Sequence, residues 1–118
     1  MKYLRLFILT AVFISFGAYA DGYVTPCNAN FDGSITCSYP SVEINNSMYH
    51  VGGLADDKGD SAKGFCAIKG KNYVTSAESF FTGISVAYLS PDGKVVNFGT
   101  ITPDEGAVVH CLTSLTCR

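Results

Sequence analysis

The chain has no tryptophan, only four prolines and 15% charged residues in its 118 positions, and each shortage excludes something. Tryptophan commonly supplies the flat apolar platform on which sugars stack, so its absence tilts a recognition role toward protein over glycan. None of the five cysteines forms a CxxC pair, which argues against a zinc knuckle and against a thioredoxin-type redox centre. The chain has no GxSxG, HExxH, P-loop or dinucleotide fingerprint, so no catalytic or cofactor-binding signature is present. Its lysines form no basic run, and binding to nucleic acid or to an anionic membrane surface is disfavoured on charge.

What is present begins with an export signal. Lys2 and Arg5 precede an apolar run from Leu6 to Phe16, and Ala18-Tyr19-Ala20 has the small-x-small pattern of a signal-peptidase site. The expected division is a signal peptide over residues 1–20 and one small secreted domain over 21–118. Loss of the leader removes two of the eight basic residues and leaves six against ten acidic ones, a mature charge of −4 in 98 residues. The run is shorter than the about 20 apolar residues of a spanning helix, and no second run follows. No membrane insertion is therefore expected after cleavage, and the expected destination is secreted or periplasmic. Such compartments are oxidising, so the cysteines are read as disulfide partners.

Gly, Asn, Asp and Ser recur between β-branched and aromatic residues, the pattern of short strands joined by turns. Asn30-Phe31-Asp32-Gly33-Ser34 and Ser90-Pro91-Asp92-Gly93-Lys94 both fit a type I turn closed by a left-handed glycine, the three-residue hairpin loop with a bulge. Counting outward from Asn30 and Ser34 sets Cys27 opposite Cys37 at a non-hydrogen-bonded position, where Cα atoms lie about 4.5 Å apart, a separation that a disulfide accepts. Counting outward from Ser90 and Lys94 gathers Ile84, Val86, Tyr88, Val96 and Phe98 on one expected core face. A third hairpin is expected over Val42 to Val51, turning at Asn45-Asn46, because Asn tolerates positive φ.

The acidic stretch Leu54 to Asp60 reads as a loop. Asp60 or Ser61 then starts a short helix with Ala62, Phe65 and Cys66 on one face and Gly70 as its stop. The segment from Ala107 to Cys117 reads as a closing strand. As one unbroken strand it would put Cys111 and Cys117 on the same face about 20 Å apart, too far to bond each other. Cys66 therefore pairs with Cys117 or with Cys111. Loop entropy separates the two by only about 0.1 kcal/mol. Tethering the terminus favours Cys117 and leaves Cys111 as a buried free thiol; otherwise Cys111 is the partner and Cys117 is left over.

The expected fold is mainly β with some α, a small antiparallel sheet or sandwich of hairpins with one short helix, stabilised by disulfides. No catalytic, metal or cofactor residue is assigned. Cys111 beside His110 does not make a dyad, since neighbours on a strand point to opposite faces. Asp56-Asp57-Lys58-Gly59-Asp60 lacks EF-hand spacing and is read as an acidic lead-in to a helix N-terminus. Phe80-Phe81 is the candidate binding pair. Adjacent strand residues cannot both face one core, so either both rings are buried around an irregular turn at Gly83 or one is exposed as a recognition anchor. The expected function is a non-enzymatic binding or interaction module for a protein or glycan. Two alternatives remain: an inhibitor of a secreted hydrolase, blocking a cleft with Ser90 to Lys94 or the Phe80-Phe81 turn, and a small hydrolase.

Overall fold

The computed structural model describes residues 25–57 and 60–118. The expected leader, its cleavage after Ala20, and Lys58 and Gly59 of the acidic stretch lie outside the described residues. The protein is mainly β, as expected, and its described residues form eight strands in two four-stranded sheets. The strands are β1 (Asn28–Ala29), β2 (Ile35–Ser38), β3 (Ser41–Ile44), β4 (Ser47–Val51), β5 (Tyr73–Phe81), β6 (Ile84–Leu89), β7 (Val95–Ile101) and β8 (Val109–Cys117). The first sheet runs β1-β2-β8-β5 and the second β3-β4-β6-β7. All adjacent pairs are antiparallel except β4 with β6. That parallel pair requires a crossover. It is made by α1 (Leu54–Asp57), α2 (Asp60–Ile68) and β5.

Turn chemistry sets the local pieces. Gly33 and Gly93 sit at φ 89° and 94°, and Asn30 N–H to Ser34 O (2.8 Å) and Ser90 N–H to Lys94 O (2.8 Å) close the two three-residue loops. The register Asn28 to Thr36 and Ala29 to Ile35 carries Cys27 opposite Cys37, and the two are bonded with Cα atoms 4.3 Å apart. Asn45 and Asn46 both adopt left-handed φ, 52° and 65°, and join β3 to β4 with Ile44 facing Ser47. Helix α2 starts at Asp60, buries Ala62, Phe65 and Cys66, and ends before Gly70 at φ 72°.

Two bulges rearrange what alternation predicts. The β6–β7 register steps from Leu89↔Val95 to Tyr88↔Asn97, so Val96 is an extra residue. It is 51% exposed, and the five-residue core face expected around it does not form. Instead, β6 buries both faces: Ala87 and Leu89 enter the main core with Phe98, and Val86 enters a second core with Ile101, Val109 and Cys111. In β8 the pairing with β5 steps from Ala77↔Ser114 to Glu78↔Leu112, leaving Thr113 without a partner on β5. A bulge turns the following side chains over. Leu112 thereby joins Leu115 and Cys117 in the main core, while Val109 and Cys111 face the second. Cys111 and Cys117 do not share a face. Cys66 bonds Cys117, tying α2 to the end of β8, and Cys111 is a buried free thiol.

The stretch expected to be a loop contains α1, and the physical reason lies elsewhere in the chain. Glu78 of β5 accepts the Leu54 N–H at Oε1 (2.7 Å) and the Ala55 N–H at Oε2 (3.2 Å), satisfying donors that a helix start leaves open. Ser61, fully buried, accepts the Leu89 N–H at 2.9 Å. This bond joins α2 to the end of β6.

Candidate functional site

Among the described residues, side chains are held in fixed geometry at the surface in two places. The first is the β1–β2 hairpin tip. Within Asn30 to Ser34, the Asn30 amide donates to Ser34 Oγ and to Thr36 Oγ1, both at 2.9 Å. Asp32 Oδ1 accepts the Ser34 N–H at 3.0 Å and the Ser34 hydroxyl, and Arg118 pairs with Asp32 Oδ2. The Cys27–Cys37 bond closes the hairpin below the tip. On this frame the Phe31 ring is fully exposed. It is the first residue of the three-residue loop, so no strand face is available to bury it. Such a frame means that little ordering entropy is lost when the ring docks.

The bonds to Asp32 have a measurable consequence. The Ser34 hydroxyl first, then the Ser34 N–H and Arg118, hold its carboxyl down at about 2 against an ordinary 3.8. Because the folded value is the depressed one, the tip keeps these bonds above an ordinary carboxylate pKa and loses them as pH falls through about 2. The Ser34 amide resonance, followed by NMR, is expected to titrate with its midpoint at about 2. A midpoint at the ordinary carboxylate value would refute the assignment.

The second place is built around Asp56 of α1. Its Oδ2 accepts the Tyr88 hydroxyl at 3.1 Å and the His110 N–H at 2.7 Å, while Oδ1 lies 3.0 Å from His110 Nδ1. Phe80 meets the His110 ring edge-on, with centroids 6.2 Å apart. A carboxylate on Nδ1 orients an imidazole and leaves Nε2 as the second nitrogen, the base-and-orienter half of a catalytic triad. Cys111 does not complete it. Its side chain faces the second core at 1% exposure, and burial first, then the Asp56 and Glu78 carboxylates, push its thiol up to about 12. Such a thiol carries negligible thiolate near neutral pH.

The residues singled out by sequence are distributed as follows. Phe80 and Phe81 lie in β5, which remains extended through both. Phe80 is 69% exposed, and Phe81 packs on the second core. Cys27, Cys37, Cys66 and Cys117 form the two disulfides. The Ser90–Lys94 loop backs onto α2 at Gly93, where an added Cβ would meet Ile68 at 2.8 Å, while Pro91, Asp92 and Lys94 are exposed. His50 is half-buried in β4 with Nδ1 3.4 Å from Ser41 Oγ, and burial lowers its pKa. Among the described residues no three His, Cys, Asp or Glu side chains gather as a metal site. Sequence reasoning missed Phe31 as an exposed anchor, although an aromatic in a three-residue loop was the available signal. It also missed the Asp56–His110 pair, for which a separation of 54 positions leaves no signal.

No protein-family model matches the chain, and no curated protein or solved structure is similar to it.

Proposed function

We propose that the chain is an exported interaction module that engages a protein partner through the Phe31 hairpin tip. The observation that carries this reading is a fully exposed aromatic ring on a loop braced by a disulfide and by the Asp32, Ser34 and Arg118 bonds. Isolated surface hydrophobes are common, but interface hot spots are typically aromatic and pre-organised. The two disulfides agree with an oxidising destination, and no helix among the described residues is long and apolar enough to cross a membrane. The lack of tryptophan favours protein over glycan as the ligand.

A second reading uses the same tip. A rigid loop with a projecting ring suits insertion into an enzyme cleft, so inhibition of a secreted hydrolase is the alternative. Both readings place the binding energy in Phe31, and Phe31→Ala is expected to weaken the complex by about 2 kcal/mol or more, about 30-fold. Immobilised wild-type protein, Phe31→Ala and a Met48→Ala surface control are exposed to an envelope or extracellular fraction, and retained proteins are identified by mass spectrometry. A protein held by wild type and Met48→Ala but released by Phe31→Ala is expected. Equal retention by all three refutes the role of the tip. Assays against lysozyme and common proteases then separate inhibitor from plain binder.

A further inference from the structure

Among the described residues, Lys94 pairs with Asp92, Arg118 pairs with Asp32, and the Lys69 ammonium lies over the Phe65 ring. Lys63 and Lys71 have no ion-pair partner among these residues, and both line the same cleft. Helix electrostatics does not account for Lys63. It lies in the first turn of α2, the end at which the helix dipole disfavours a cation.

The cleft has a volume of about 350 Å³, within the range of small-molecule sites. Ala67 of α2, Pro91 of the β6–β7 loop and Tyr73 at the start of β5 give it apolar surface, and Asn72 adds an amide. The backbone around it is fixed. The Lys71 N–H bonds the Cys66 carbonyl and the Gly70 N–H the Ala67 carbonyl, both at 2.9 Å, the two bonds of a Schellman stop. Asn72 exchanges both of its backbone bonds with Arg118, at 2.9 and 2.8 Å, and Tyr73 Oη lies 3.1 Å from Ser76 Oγ. The contact of Gly93 with α2 holds Pro91 beside the helix. Asp92, next to Pro91 in the loop, is occupied by the Ser90 hydroxyl and by Lys94.

We propose that this cleft binds a small organic dianion, a phosphate monoester or a dicarboxylate, with its charged head between Lys63 and Lys71 and its apolar body against Tyr73 and Pro91. Two ammonium groups match two negative charges, and an ammonium holds phosphate or carboxylate as a point charge. The apolar walls leave the water only when the ligand carries an apolar body of its own. Size follows from charge. The mature chain is net negative, with six basic side chains against ten acidic, so a long polyanion extending beyond the cleft is repelled.

The test is an amide-resolved NMR titration of the mature protein with phenyl phosphate and with benzylmalonate, which share two charges and one ring and differ in the head. Saturable shifts of the Ala67, Lys71 and Asn72 amides are expected with at least one of them, at a Kd of about 1 mM. Inorganic phosphate lacks the ring and phenol lacks the charge, and each is expected to bind about tenfold more weakly or not at all. Lys63→Gln/Lys71→Gln is expected to weaken binding about tenfold, whereas Lys69→Gln, which removes a charge outside the cleft, changes it less than about twofold. No saturable shift at these amides up to about 20 mM of either probe overturns the proposal. An unchanged Kd in the double variant overturns it, and so does an equal loss in Lys69→Gln, because the attraction is then a general field and not the cleft. Inorganic phosphate binding as tightly as phenyl phosphate also overturns it, since the apolar walls then contribute nothing.

Discussion

Replacing Cys66 and Cys117 together by alanine is expected to lower the unfolding free energy by about 4 kcal/mol. The bond spans 51 positions, and a loop of that size removes about 4 kcal/mol of chain entropy from the unfolded ensemble. The Cys27–Cys37 bond spans 10, for which the same model assigns about 3 kcal/mol. A domain of this size has a total of about 5–14 kcal/mol at its disposal. The longer bond also has a role that the shorter lacks. α2 has only nine residues, too few to persist alone, and Cys66 anchors it to the strand at the centre of the main core. Urea denaturation of the two double variants should therefore show the Cys66/Cys117 pair with the lower midpoint. A loss below about 1 kcal/mol, or the reverse ranking, would contradict the entropic account.

Gly64→Ala is expected to destabilise the protein by about 2 kcal/mol, with a sign opposite to helix propensity. Gly64 is central in α2, where alanine ordinarily gains about 1 kcal/mol. Here an added Cβ would lie 2.8 Å from Leu89 Cβ and would collide with the Ser90 carbonyl oxygen. Neither neighbour yields easily, since Leu89 is 1% exposed and the Ser90 carbonyl belongs to the backbone at the loop. The helix must lift from β6, straining the Ser61–Leu89 bond and the packing of Phe65. Overpacking of this kind costs about 1–3 kcal/mol, sometimes more. Chemical denaturation decides it: equal or greater stability than wild type would show that the contact relaxes freely.

How much of this was legible follows from the range over which each feature is decided. Asn30 to Ser34 specify their own loop, because Gly33 alone among them accepts φ near 90° without strain. The loop sets the register, and the register sets Cys27 against Cys37. Asn45-Asn46 and Gly70 act in the same local way. The β6 and β8 registers were not legible. Val96 and Thr113 look like ordinary members of alternating strands, and each becomes an extra residue only because of how a neighbouring strand is held. α1 was invisible for a related reason: its cap comes from Glu78 and its Asp56 bonds reach His110 and Tyr88.

The candidate site divides along the same line. Phe80 and Phe81 stood out as an aromatic doublet, and β5 does expose Phe80. The hairpin that carries Phe31 was located, but the bracing of its tip by Arg118, 86 positions from Asp32, was not.

By itself the sequence determined a small β-rich chain of tight hairpins with one short helix and a disulfide opposite a defined turn, because turn geometry and strand alternation act over a few residues. Only the tertiary structure decided that Cys66 bonds Cys117, since the Thr113 bulge sends Cys111 into a different core. It alone also left β5 with no fully buried position, while β6, β7 and β8 each bury part of their length. Both outcomes depend on which strands become neighbours, and neighbours are selected by packing of the whole chain.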